Sequence, residues 1–399
     1  MFVVVSALLT ILAYGLLAKE LGMYGDDPNF LWAYHRGGAA EFRPFMAWIR
    51  DFGYLVYQFL SPLFGEKIIG WRLALLLLRW TSGLLYYFTL CRRFPAQKPI
   101  IWWAALLFLF YPGFLQQAIP VEFILHFISL NFILASILLM QLAFSNTRGK
   151  WLLLIGSFGF EVIGLFLCEY FISLELVRPF LVSHTMTTDT QNSSEASIPL
   201  KKKGTHRNVL PLLISFIIFL GYLIWRGFFA SSSYVQPVFL SALKTDPLSF
   251  LLNWIEQVGH DLILVLIKAW GKIFSPLPSG RSLLVYAGIT ALSFLICALS
   301  SFINRPTETD ETYENSSLRP LILLGLFAVI SGGIPVWAAG LKTTLSLFWD
   351  RLTLSFMWGA CLTFTSVFGI LIRKKYQPLL FSLIIALTVG FQFQLQNQF

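Results

Sequence analysis

The sequence predicts an all-α polytopic membrane protein with about 11 transmembrane helices and amphipathic surface helices in its first outer loop. Three observations predict it. Only 12% of the 399 residues are charged and 57% are hydrophobic, whereas a soluble domain usually carries about twice that charge fraction. The apolar residues gather into runs of roughly 17 to 25, the length a helix needs to cross a bilayer. The basic residues fall in short connections: Arg92, Arg93 and Lys98; Arg148 and Lys150; Lys201, Lys202, Lys203 and Arg207; Arg373, Lys374 and Lys375. This is the positive-inside pattern. The net charge of +9 therefore reports topology. A nucleic-acid partner would need a continuous basic face and is not expected.

The chain reads as one integral membrane domain over residues 1–399. Spans are expected near 2–19, 69–90, 99–113, 121–144, 209–227, 283–303, 319–340, 352–372 and 378–396. The first lacks a basic n-region and a small-x-small cleavage site, so it reads as a retained helix and not a signal peptide. The stretch 151–183 is too long for one pass and is interrupted by Cys168-Glu169-Tyr170. A hairpin with Glu169 at its outer tip keeps every basic cluster on the cytoplasmic side. Each arm, at about 16 residues, would rise only roughly 24 Å, so a tilted pair and a partly re-entrant pair both remain open.

This topology places 20–68, 228–282 and 341–351 outside. Within the second of these, 250–274 is apolar but interrupted by Glu256, His260, Asp261, Lys268 and Lys272. An interfacial helix fits that pattern better than a span. The inside segment 184–208 is Ser/Thr-rich, then basic, and reads as a flexible loop over anionic lipid. The inside segment 304–318 is acidic. The sequons at Asn192 and Asn315 lie inside and carry no glycosylation. Cys91, Cys168, Cys297 and Cys361 are far apart and form no C-x-x-C pair, so helix packing is their expected role.

The first outer loop, with "YGDDPNFLWAYHRGGAAEFRPFMAWI" at 24–49, is the densest polar stretch. Asp27-Pro28 is a helix start, with Asp27 as the cap and Pro28 at the first position. Gly37-Gly38 ends that helix. Arg43 precedes Pro44 and should be extended. A second helix is expected from Pro44 to about Leu60 with Phe45, Ile49, Phe52, Val56 and Phe59 on its apolar face. Asp26 sits just outside the first helix and has no such structural explanation. It is either solvated or turned into a pocket between loop and bundle.

A first helix followed by an outer loop with an acidic pair, two surface helices and an Arg-Pro step resembles the GT-C class of membrane glycosyltransferases. That class includes the protein O-mannosyltransferases and the aminoarabinose transferases of lipid A. "YPGFLQQ" at 111–117 and "CEYFISLELVRP" at 168–179 are similar to segments of bacterial members. The resemblance is best over the first four helices and fades after about residue 230. It implies a polyprenyl-phosphate sugar donor and a glycan, lipid or protein acceptor. The implied setting is a bacterial cytoplasmic membrane with the site on its outer face. It also implies an acidic residue of the first outer loop as base or metal ligand, a role that falls on Asp26 or Asp27.

The residue types suit that chemistry. A phosphate leaving group needs cationic partners and no general acid, and the acceptor hydroxyl needs one base. His35, Arg36 and Arg43 are candidates to hold the phosphate, arginine through its fixed fork of donors. His35 also suits a surface position, Arg36 a helix C-terminus and Arg43 a headgroup contact. Arg72 and Arg79 share one helix face, as a basic track for the phosphate or as ion-pair partners of membrane glutamates. Gln116, Gln117 and Glu122, at the turn after the third span, are placed to bind sugar hydroxyls, as is Glu169. Arg178 is expected to snorkel to inner headgroups. No cofactor is expected; a divalent metal is possible but not favoured, because Asp26 and Asp27 need not converge. A transporter or flippase of a lipid-linked glycan is the alternative, as is a non-catalytic GT-C relative working in a complex. A transporter would be expected to show repeat symmetry and midplane sites.

Overall fold

The computed structural model describes residues 1–46, 50–145, 148–182, 209–230, 246–274, 279–303, 317–346 and 348–399. The expected basic loop at 184–208, both sequons and nearly all of the acidic 304–318 segment lie outside these residues. Every regular element among the described residues is helical. They are α1 (Phe2–Gly15), α2 (Asp27–Gly37), α3 (Phe42–Met46), α4 (Tyr54–Phe64), α5 (Ile68–Arg93), α6 (Lys98–Leu109), α7 (Pro120–Ser145) and α8 (Lys150–Leu167). Then follow α9 (Ser173–Val182), α10 (Val209–Phe228), α11 (Pro247–Phe274), α12 (Arg281–Ile303), α13 (Arg319–Ala338), α14 (Leu354–Leu371) and α15 (Gln377–Gln398).

Among the described residues nine helices are long and apolar enough to cross a membrane. This is a multi-pass helical membrane protein. Eight of the nine match expected spans. The ninth is α11, 28 residues long, where the interspersed charges had suggested an interfacial helix. It accommodates them because Asp261 is buried against α13 while Lys268 stays exposed. Three expected spans are shorter than predicted: α1, α6 with 12 residues, and α9 with 10. The hairpin itself is present. α8 rises, a short turn at Glu169–Phe171 reverses the chain, and α9 descends until Leu181 O accepts from Gln141 Nε2 near the far end of α7.

α7 packs between α5 and α8, α13 packs on α14 and α9, and α12 packs on α15. The α13–α14 crossing is close because it is made at small residues. A Cβ on Gly332 would lie 2.4 Å from Ser355 O, and one on Gly359 2.5 Å from Val329 N. α10 and α12 turn Phe216, Ile217, Leu284 and Leu299 outward, as helix faces against lipid do.

α6 is buried and stops at Leu109, yet the chain stays buried through to α7. Backbone without helical bonds survives at membrane depth only where protein groups satisfy it. Four side chains from three other segments do so here. Arg79 Nε donates to Leu109 O at 2.9 Å and its Nη2 to Phe108 O at 3.2 Å. Gln392 Nε2 donates to Tyr111 O at 3.1 Å, and Thr353 Oγ1 to Gly113 O at 3.0 Å. Asp350 Oδ2 accepts from Leu115 N at 2.7 Å, and its Oδ1 from Gln116 Nε2 at 2.5 Å.

Arg79 is thus the cap of α6, neither a partner of a glutamate nor part of a basic track. Arg72 likewise serves backbone: it donates to Ala18 O at 2.9 Å, Leu21 O at 2.6 Å and Gly22 O, closing the chain after α1. The expected second loop helix from Pro44 is broken in two. α3 is described to Met46, residues 50–53 are not helical, and α4 starts at Tyr54. Arg43 is helical within α3, not extended, so the bias that Pro44 imposes is overridden.

Asp350→Ala should leave the Leu115 N–H unpaired inside the bundle and cost about 3 kcal/mol. This would be read as a lower thermal unfolding midpoint in detergent, with α-helical circular dichroism retained at low temperature.

Candidate functional site

The first N–H groups of a helix have no partner within it. At the start of α7 Asp27 supplies one: its Oδ1 accepts from Val121 N at 2.9 Å and Glu122 N at 3.0 Å. Asp27 therefore caps α7, and not its own helix as its position before Pro28 had suggested. The cap position of α2 is held by Asp26, whose side chain makes no capping bond. Asp26 Oδ1 accepts instead from Asn29 Nδ2 at 3.3 Å. Asp27 is fully buried. That burial pushes its carboxyl up from the ordinary 3.8 to about 8, against the opposing pull of the two backbone N–H groups and Arg72.

Asp26 faces a cavity of about 710 Å³. Its walls are the loop between α1 and α5, the start of α7, the α8–α9 turn, the end of α10, the end of α13 and the segment entering α14. The opposite ends of α5 and α8 carry Arg92, Arg93 and Lys150, the end at which the charge pattern expects the cytoplasm. The charged and imidazole side chains of the wall are Asp26, Arg50, Glu122, His126, Glu169, Arg226 and Arg351; Tyr222, Leu223, Ile334 and Val336 make an apolar wall.

Two ion pairs organise the polar wall. Arg50 Nε donates to Glu169 Oε2 at 3.2 Å and its Nη2 to Glu169 Oε1 at 3.4 Å. Arg351 Nη1 donates to Glu122 Oε1 at 3.2 Å. Arg50 Nη2 also lies 3.4 Å from His126 Nε2. A guanidinium has no acceptor, so His126 Nε2 is the acceptor and the ring proton is on Nδ1. The Arg50 guanidinium lies over the Tyr170 ring, 5.5 Å from its centroid. Tyr57 Oη donates to Val121 O at 3.1 Å, holding α4 to the start of α7. Burial alone would raise the Glu169 carboxyl, but the charge and hydrogen bond of Arg50 outweigh it and hold it below the usual carboxylate range. Among the described residues, Asp26 is the wall carboxylate that forms no ion pair.

Of the residues singled out in the sequence, Asp26, Glu122 and Glu169 meet in this cavity. The others do not line it. His35 is exposed and pairs with Glu66 at 2.8 Å. Arg36 pairs with Glu41 and stacks on Trp32. Arg43 lies over the Tyr54 ring, 5.9 Å from its centroid. Gln116 is bonded to Asp350, and Gln117 is buried outside the wall. Arg178 is buried at 1% exposure among glutamates and does not snorkel. Two wall arginines, Arg50 and Arg351, were missed. Arg50 was hidden in an expected continuous helix, where "IRDFG" marked the break. Arg351 was legible as the charged Asp-Arg step of the short outer segment.

No protein-family model, curated protein or solved structure matches this chain. Among the described residues no three His, Cys, Asp or Glu side chains gather as a metal site would. Asp27 is committed to the α7 backbone, so the two adjacent aspartates serve different places.

The raised value of Asp27 gives stability a pH slope. Its contribution is fully present below pH 3.8 and lost as pH rises through about 8. Wild-type thermal stability in detergent should therefore fall between pH 5 and pH 9 on this account. Asp27→Asn, which keeps the carbonyl acceptor, should flatten that slope. A slope unchanged in the variant would show that Asp27 does not titrate in this range.

Proposed function

We propose that the protein is a membrane glycosyltransferase moving a sugar from a polyprenyl-phosphate donor to an acceptor hydroxyl at the outer face. The observation that carries this reading is a cavity at one end of the bundle. It sets the unpaired carboxylate of Asp26 in one wall with Arg50 and Arg351. The resemblance of the first outer loop to the GT-C class supports the same reading.

The chemistry balances with these groups. The acceptor oxygen attacks the anomeric carbon, and its proton passes to the Asp26 carboxylate. The bond from that carbon to the phosphate oxygen breaks, and polyprenyl phosphate leaves with the electron pair. Arg50 and Arg351 hold the phosphate and stabilise the growing negative charge. Their glutamates, Glu169 and Glu122, give up part of that pairing to the anion. The apolar wall of α10 and α13 is where an isoprenoid chain would lie. Asp26 takes the catalytic role in preference to Asp27, whose oxygen is already bonded to α7.

The test is transfer by purified protein from a panel of polyprenyl-phosphate sugars. Asp26→Asn should lower kcat at least ~100-fold, the usual contribution of a general base, with the melting midpoint unchanged. Arg351→Gln should mainly raise KM for the donor. Transfer should persist in EDTA. Full activity of Asp26→Asn would remove the aspartate from the mechanism. Movement of lipid-linked glycan across vesicles without any transfer would favour the transporter reading.

A further inference from the structure

α7, α8, α9 and α10 enclose a second polar cluster apart from the cavity. Arg178 of α9 is 1% exposed, Glu175 of α9 2% and Glu161 of α8 0% in their side chains. Arg178 grips Glu175 with both edges of its fork, Nε to Oε2 at 2.5 Å and Nη2 to Oε1 at 2.8 Å. Its Nη1 donates to Ser136 Oγ at 3.0 Å. Glu161 is held less completely. Its Oε2 accepts from Ser215 Oγ of α10 at 2.8 Å and lies 3.5 Å from Arg178 Nη2. Its Oε1 is buried with no hydrogen-bond partner among the described residues.

We propose that this cluster is a proton-binding site inside the membrane, in which Arg178 and Glu175 form an ionised pair and Glu161 carries an exchangeable proton. The argument is one of charge and geometry. One guanidinium and two carboxylates sum to a net negative charge. A buried charge without compensation is costly in a protein interior, and more so in a membrane. Arginine cannot deprotonate to change the sum, so binding one proton is what makes the cluster neutral. Glu175, with both oxygens on the guanidinium, is the carboxylate stabilised in its charged form. Glu161, with one bonded oxygen and one bare oxygen, is the one that takes the proton.

The elements packed around Glu161 bring no further charge to it among the described residues. α9 brings Arg178 and Glu175, α7 brings Ser136 and α10 brings Ser215. Glu161 lies eight residues before Glu169 on the same hairpin, roughly 12 Å below the cavity along α8. It is not part of the cavity wall. The site is therefore independent of the glycosyltransferase reading and stands or falls separately.

The test is infrared spectroscopy of the whole protein in lipid nanodiscs, in an Asp27→Asn background because Asp27 also holds a proton. At neutral pH the parent should show the C=O stretch of a buried carboxylic acid, and Glu161→Gln should lose it. The band should shift in D2O, since the proton exchanges. The melting midpoint of Glu161→Gln should equal or exceed that of the parent, because an amide replaces a neutral acid; Glu175→Gln should lower it. A spectrum unchanged by Glu161→Gln, a band that does not move in D2O, or a fall in midpoint as large as that of Glu175→Gln would each overturn the proposal.

Discussion

Backbone that leaves the helix inside a bilayer must be satisfied by the protein around it, and this requirement organises the molecule. The non-helical stretch from Phe110 to Ile119 is buried throughout. Arg79, Asp350, Thr353 and Gln392 arrive from α5, the approach to α14 and α15 to hold it. Its exit fixes where α7 begins. The start of α7 then receives Asp27 and Tyr57 from the loop between α1 and α5 and Arg351 from beyond α13. The cavity wall is the outer surface of this arrangement. Polar residues that look functional in the sequence are, in several cases, the means of burying a strap of irregular chain.

This explains what was legible in the sequence and what was not. Composition, run length and the distribution of lysine and arginine read out the helical membrane class and the hairpin at Glu169. They depend on local chemistry against lipid. The lengths of α1, α6 and α9 were not legible, because apolar residues continue past the helix ends into buried irregular chain. The charges of α11 misled in the opposite direction, since Asp261 finds the Trp337 indole at 3.1 Å only in three dimensions. In the candidate site, Asp26, Glu122 and Glu169 could be picked out as polar residues at one level of the membrane. Arg50 was passed over, because its position depends on a helix break at residues 50–53 that no proline marks and that only the Asp51-Phe52-Gly53 step hints at. Arg72 and Arg79 failed as site residues for a related reason: their partners are carbonyl groups, which every sequence contains and no sequence motif reveals.

The two polar clusters differ in how they manage charge. In the cavity each of two glutamates has its own arginine, and the arginines remain beside open space. In the α8–α10 cluster two glutamates meet a single arginine with no space around them. The first arrangement suits exchange of one anion for another; the second suits uptake of a proton, which neutralises the cluster without further ligands.

The bond from Asp27 to the start of α7 also orders events in time. The two partners are 94 residues apart in the chain, and Leu115 is 235 residues from Asp350. On a ribosome the first outer loop emerges long before the amides it will hold, and the irregular strap enters the membrane before the carboxylate that satisfies it exists. The early half of the nascent chain therefore carries polar groups whose partners have not yet been made. A chain truncated before Asp350 would have every residue of that loop but would lack Arg351 of the cavity wall and the carboxylate that satisfies Leu115 N.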